Sequence, residues 1–177
     1  MTRKSPASHW PIKFWTGWFL FIMLLIVLSY EKGLLNVHAT VLNTMSLETI
    51  STSIFTTLKI LLVYLATSII PIRWLYVIPT SFFISTFDLY FLQLIFNIFH
   101  GTLLITAVSA VLTITFIGII YELSVINVQT VDNLKYQQFD HFISRWWHSL
   151  ISTIKPKWKL LVILAISYVV VLSITKS

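Results

Sequence analysis

The chain has 177 residues, of which 57% are hydrophobic and 10% charged, and its formal net charge is +6 at pH 7. A soluble domain usually carries about 25% charged residues, so most of this protein's surface must face lipid. The absence of cysteine excludes disulfides, thiolate zinc sites, iron–sulfur clusters and cysteine nucleophiles. The positive residues flank hydrophobic runs, where anionic lipid attracts them, so the charge does not indicate a nucleic-acid partner.

Five hydrophobic runs come close to the roughly 20 residues that a helix needs to cross a bilayer. We therefore predict an all-α integral membrane protein, a bundle of about five transmembrane helices with a cytoplasmic interfacial amphipathic helix. The whole chain, 1–177, forms one polytopic domain in this interpretation. The predicted spans are 14–30, 54–72, 75–96, 102–121 and 160–174, and the amphipathic segment is 126–155.

The first run follows Arg3, Lys4 and Lys13, a basic start that is compatible with a secretory signal peptide. No small-residue cleavage site follows it, which favours an uncleaved signal anchor. The next stretch, 33–53, alternates apolar residues with Asn, His, Thr and Glu. It is too polar to span, and we expect a short amphipathic segment on the membrane surface.

The second and third runs each contain one charge, Lys59 and Asp88, and the turn at Pro71 and Arg73 joins them. A lone charge at the centre of a membrane helix costs roughly 2.5–3.5 kcal/mol. Both residues lie about 21 Å from the turn at a rise of about 1.5 Å per residue, which predicts an intramembrane ion pair. The pair would fix the helix register or form a proton- or cation-coupled site. Alternatively, Lys59 extends outward without a partner.

Small and hydroxyl side chains line the third and fourth runs. In the third run, these side chains either form contacts between helices or line a polar path. In the fourth they predict a helix-packing face, which would make this helix the most buried one or part of a partner interface. The residues of this face are Thr102, Thr106, Ala110, Ser109 and Thr113. Glu122 closes the fourth run, and we expect it to pair with a nearby lysine.

The polar stretch before the fifth run repeats large apolar residues at steps of three and four, the period of an amphipathic helix. Pro156 ends this helix. We predict that it lies along the cytoplasmic membrane surface, with docking against a cytoplasmic partner domain as the alternative. Its stripe consists of Phe139, Phe142, Trp146, Trp147 and Leu150.

Orientation follows from the excess of Lys and Arg on one side of the five-span arrangement, which predicts a cytoplasmic N-terminus and an outside C-terminus. We expect a multi-pass protein of a bacterial inner membrane. The tryptophans collect on the same cytoplasmic face, where indole prefers the headgroup level. The predicted interfacial anchors are Trp74, Trp146, Trp147 and Trp158.

No catalytic, cofactor-binding or metal-binding constellation can be read from the chain, and its five scattered histidines offer no clear haem pair. The favoured interpretation is a non-catalytic subunit, assembly factor or immunity-type protein. It would contact membrane lipids and another membrane protein or itself, and we expect neither a cofactor nor a nucleic-acid partner. The alternatives are a small transporter or channel component using Lys59 and Asp88, and a membrane-embedded lipid-modifying enzyme.

Overall fold

The computed structural model describes residues 10–33, 40–136 and 141–176, and within them the chain is almost entirely helical. Two short strands, β1 (Val41–Leu42) and β2 (Thr175–Lys176), pair antiparallel. A 3-10 turn, Leu134–Tyr136, follows the fourth helix. The six helices are α1 (Trp10–Glu31), α2 (Leu47–Ile69), α3 (Val77–His100), α4 (Leu103–Asn133), α5 (Phe142–Ile154) and α6 (Trp158–Ile174).

Three of the described helices, α2, α3 and α4, are long and apolar enough to cross a membrane. The number rises to four if α5 and α6, which are bent by 76° at their break, count as one span. Within α1, residues Trp15–Glu31 form a shorter apolar helix. The architecture is thus all-helical and compatible with a multi-pass membrane protein.

The helix α4 occupies the centre of the bundle, because α2, α3, α5 and α6 all pack against it. Phe116 and Ile119 of α4 are almost completely buried, in one apolar cluster with Ile60 and Tyr64 of α2 and Tyr168 of α6. Lipid offers no hydrophobic drive for helices to associate, so close packing of this kind must hold the bundle together.

A close approach between α4 and α6 depends on Gly118. A Cβ atom at this position would lie 3.1 Å from a methyl group of Leu164. That distance is shorter than an ordinary carbon–carbon contact of about 3.5–4.0 Å. A side chain at position 118 would therefore require Leu164 to move by a few tenths of an ångström.

The fourth helix is longer than predicted. It does not end at Tyr121 but continues to Asn133, so the first part of the predicted segment 126–155 belongs to α4. Ile126, Asn127 and Thr130 are buried in the bundle. The predicted helix in this stretch is confirmed. However, its apolar side packs against other helices of the bundle and does not lie on the membrane surface.

The amphipathic helix itself is α5, and it packs against the end of α4. Trp146 and Leu150 form a second apolar cluster with Ile126 of α4 and Leu134 of the 3-10 turn, and the Ser149 hydroxyl donates a hydrogen bond to the Thr130 carbonyl oxygen at 2.6 Å. On its other side, Ile143 and Trp147 are exposed. The predicted stripe is thus divided between the chain's own core and the outside, while Phe139 lies outside the described residues.

The second helix begins before the predicted start at residue 54. Ser46 caps it, accepting a hydrogen bond from the Thr49 backbone N–H at 3.1 Å while the Thr49 hydroxyl accepts one from the Ser46 N–H at 3.0 Å. This reciprocal cap satisfies backbone donors that a helix start leaves unpaired. The predicted surface segment 33–53 is therefore divided: residues 34–39 lie outside the described residues, Val41–Leu42 is a strand, and the part from Leu47 onward belongs to α2.

The bundle has two chemically different ends. At the charged end, Lys157 pairs with Glu122 at 2.9 Å and Arg73 with Asp132 at 3.5 Å. The first pair confirms the lysine partner predicted for Glu122. At the opposite, strand end lie β1, β2 and the connection between α3 and α4, and the Asn43 backbone N–H donates to the Ile174 carbonyl oxygen at 2.8 Å.

The contact at Gly118 leads to a stability prediction. Replacing Gly118 with Val should destabilise the protein by about 1–3 kcal/mol, because overpacking a tight contact forces neighbouring groups apart. Gly17→Val in α1 is the matched control, since a Cβ atom there would meet nothing within 4 Å. The measurement is thermal unfolding of both purified variants in one detergent, and an equal effect of the two changes would contradict the packing described here.

Candidate functional site

Asp88 is a charged residue enclosed by the bundle. It follows Thr80 by two helical turns and Ile84 by one on the same buried side of α3, and its exposed fraction is 0%. Neither of its carboxylate oxygens has a hydrogen-bond partner among the described residues. Ionisable residues inside membrane helices are expensive, and as a rule they face a partner, a cavity or a conduction path. Asp88 is therefore the first candidate for a functional group.

Lys59 lies on the outside of the bundle and does not meet Asp88. It is exposed in the middle of α2, and the ion pairs of the described chain do not include a pair between these two residues. The prediction assumed that a short turn makes α2 and α3 packed neighbours. Instead, α2 packs against α4 and α6, while α3 packs against α4 and α1.

A hydrogen bond joins α2 to α3 near the charged end. The hydroxyls of Tyr64 and Thr80 are 2.7 Å apart, and the Ser124 hydroxyl of α4 lies 3.0 Å from that of Thr80. The Asn127 amide donates to the Tyr64 carbonyl oxygen at 3.0 Å and to the Thr67 hydroxyl at 2.8 Å. These polar groups join three helices by satisfying one another, so the Thr80 hydroxyl serves as a contact between helices.

A second polar network closes the strand end around Asn97, which is completely buried. Its amide nitrogen donates to the hydroxyls of Thr40 at 2.8 Å and Ser109 at 2.7 Å, and its amide oxygen accepts from the Thr40 backbone N–H at 3.1 Å. The Thr106 hydroxyl donates to the Asn97 carbonyl oxygen at 2.9 Å. No sequence pattern points to Thr40, because this residue contacts Asn97 only in the folded chain.

The predicted packing face of α4 is buried along only one of its two rows. Ser109 and Thr113 are buried, whereas Thr106 and Ala110 are half-buried. Thr102 is exposed, and its hydroxyl caps α4 by accepting from the Ile105 backbone N–H at 3.3 Å. The row that begins at Ser109 therefore faces the core, and the other row reaches the outside at the strand end.

Three of the four predicted interfacial tryptophans are exposed: Trp74, Trp147 and Trp158. Trp146 differs, because only 9% of it is exposed and its indole N–H donates to the Ser68 hydroxyl at 3.2 Å. The side chains of consecutive helical residues point about 100° apart. When Trp146 faces the bundle, Trp147 therefore faces away from it. Trp146 is a packing residue, and the prediction that it anchors at the interface is not supported by its position.

Two grooves lie between the helices. One, of about 190 Å³, has an almost wholly apolar lining from α2, α4, α5 and α6. The other, of about 300 Å³, lies between α1, α3 and α4 and includes Trp15, Thr80 and Ile84 in its lining. Within the described residues, no group of three or more His, Asp or Glu side chains is placed to hold a metal ion.

Comparison with protein-family models, with curated proteins and with solved structures gives no match. The placement of Lys59 and Asp88 is therefore the basis on which a function is proposed.

The separation of these two residues predicts how their substitutions combine. Lys59→Met and Asp88→Asn should have effects on the free energy of unfolding that add within about 0.5 kcal/mol, because residues that share no contact behave independently. A double-mutant cycle measured by thermal unfolding in one detergent tests this. A coupling energy well above 1 kcal/mol would show that the two charges interact after all.

Proposed function

We propose that the chain crosses the membrane five times, through α1, α2, α3, α4 and α6, in a membrane such as the bacterial inner membrane. The arrangement of the helices supports this number. Each of α2, α3, α4 and α6 runs between the charged end and the strand end, and Trp15 of α1 contacts Tyr76 beside the α2–α3 turn. By the positive-inside rule the charged end is cytoplasmic, which gives a cytoplasmic N-terminus and an outside C-terminus.

Cysteine labelling tests this topology, because the natural chain has no cysteine. Tyr136→Cys, at an exposed position after α4, should not react with a membrane-impermeant maleimide in intact cells. His100→Cys, at the exposed end of α3, should react. Both should react after lysis. Labelling of Tyr136→Cys from outside intact cells would contradict the five-span topology.

Its function, we infer, is non-catalytic: the chain acts as a subunit, assembly factor or immunity-type protein through helix–helix contacts with another membrane protein. The observation that carries this proposal is Lys59. It lies twelve residues from the first residue of α2 and ten from the last, and its side chain is exposed. In a lone bundle it would stand in hydrocarbon at a cost of roughly 2.5–3.5 kcal/mol. A polar group from a neighbouring protein removes that cost.

The surface around Lys59 suits a helix partner. We define the Lys59 face as the outward row of α2 formed by Thr52, Thr56, Lys59, Val63 and Ala66. The hydroxyls of Thr52 and Thr56 donate to the carbonyl oxygens four residues earlier, each at 2.9 Å. The two threonine hydroxyls therefore leave no unpaired donor on the surface. In addition, small side chains in such a row let a second helix approach closely.

Photo-crosslinking in native membranes tests the contact. A photoreactive residue at Val63, one turn from Lys59, leaves the lysine intact and should give an adduct with a protein. The same residue at Ile114, an exposed position of α4, is the matched control and should give adducts mainly with lipid. Lipid adducts alone at both positions would refute a protein partner on the Lys59 face.

Asp88 supports a second candidate, a small transporter or channel component. A buried carboxyl whose oxygens have no partner among the described residues is a place where a moving proton or cation would bind. The test is proton or cation flux into liposomes that contain the purified protein. Asp88→Asn should abolish such flux while the protein still folds, whereas the absence of flux in the unaltered protein favours the non-catalytic subunit.

A further inference from the structure

We propose that the helix bound at the Lys59 face belongs to a different protein and carries an aspartate or glutamate at mid-membrane depth. This inference rests on the proposed function, and it adds the chemistry of the partner. The argument has three parts: the depth of Lys59, the placement of every acidic residue of this chain, and the shape of the surface beside the lysine.

The depth of Lys59 requires a group that compensates its charge. At about 1.5 Å per residue, the ammonium-bearing residue lies about 15–18 Å from either end of α2. A hydrocarbon core is about 30 Å thick, so Lys59 is close to its centre. A lysine near the end of a helix can extend its ammonium group to the membrane interface. From the centre of the membrane, the distance to either interface is greatest. A carboxylate in contact with the ammonium group compensates the charge and forms a strong charge-assisted hydrogen bond.

A second copy of the chain has no suitable carboxylate. Two acids mark helix boundaries at the strand end, Glu31 as the last residue of α1 and Glu48 in the first turn of α2. Two more are already paired at the charged end: Glu122 with Lys157 and Asp132 with Arg73.

The remaining two acids do not supply the charge either. Asp88 is inside the membrane, but it is completely buried within its own bundle. Asp140 lies outside the described residues, but in the chain it directly precedes His141, the residue that comes before α5 at the charged end and not at a mid-membrane position. Twofold contact of α2 with α2 would moreover place two lysines against each other, because a twofold interface brings the same patch of both copies together. The carboxylate must therefore come from another protein.

The shape of the Lys59 face indicates how the partner helix lies. Thr52 and Thr56 form a low surface on the strand-end side of Lys59, and the exposed side chains of Phe55 and Leu62 stand beside the row. A helix can approach most closely over the threonines and pack against Phe55 and Leu62, which lie on one side of the row. The acidic residue of the partner helix then contacts Lys59, which follows Thr56 at the end of the row of small hydroxyl side chains.

The first experiment varies the charge at position 59 in the full chain that carries the photoreactive residue at Val63. Lys59→Arg keeps the positive charge and should retain most of the protein adduct. Lys59→Met, which is apolar and of similar length, should lower the adduct yield about tenfold or more, relative to the amount of chain in the membrane. An adduct yield that is the same with Met as with Lys would overturn the inference and leave the proposed function in place.

The second experiment identifies the crosslinked protein by mass spectrometry and exchanges the charges. Lys59→Asp should abolish the adduct, and it should return when the partner's mid-span acid is replaced with Lys in the same cells. A crosslinked protein without such an acid, an exchange that restores nothing, or an adduct only with a second copy would overturn the inference. Lipid adducts alone at Val63 would overturn both this inference and the proposed function.

Discussion

Inside a bilayer, a polar side chain has to find its partner within the protein, because neither water nor lipid tails supply one. In this bundle α4 supplies many of those partners. Ser124 and Asn127 engage Tyr64, Thr67 and Thr80 near the charged end, and Ser109 engages Asn97 near the strand end. Because α4 bonds to both of its predecessors, it lies against α2 and α3 alike. The separation of Lys59 from Asp88 follows from this arrangement.

The two intramembrane charges are exceptions to that internal pairing, and they differ in kind. Asp88 is enclosed by the chain, so whatever compensates it must be small enough to enter the bundle. Lys59 is presented outward, so whatever compensates it must be brought alongside by another molecule. The first arrangement suits a proton or a cation, and the second suits a helix. Under the proposals made above, chemistry at Asp88 and assembly at Lys59 would be independent of each other, because one residue is enclosed in the bundle and the other lies on its outside.

The sequence predicted the features that depend on local composition. The membrane class follows from the scarcity of charge, the turn at Pro71 from its residues, and the partner of Glu122 from the nearby lysines. The order of the helices in space could not be derived, because a short turn fixes the direction of the next helix but not which helices pack together. The end of α4 was misplaced for a related reason: an apolar stripe has the same period whether it covers lipid or protein. Thr40 and Asn97 are 57 residues apart, and no local pattern connects them.

The pairing of β1 with β2 has a consequence for biosynthesis. The strand after α1 obtains its backbone partners from the residues after α6, so these bonds can form only when the last helix has been made and inserted. In a nascent chain that lacks α6, the backbone groups of Val41 and Leu42 have no strand partner. Loop closure over so long a stretch of chain is slow and entropically costly. The strand pair therefore depends on the residues after α6, and a chain that stalls before α6 lacks it.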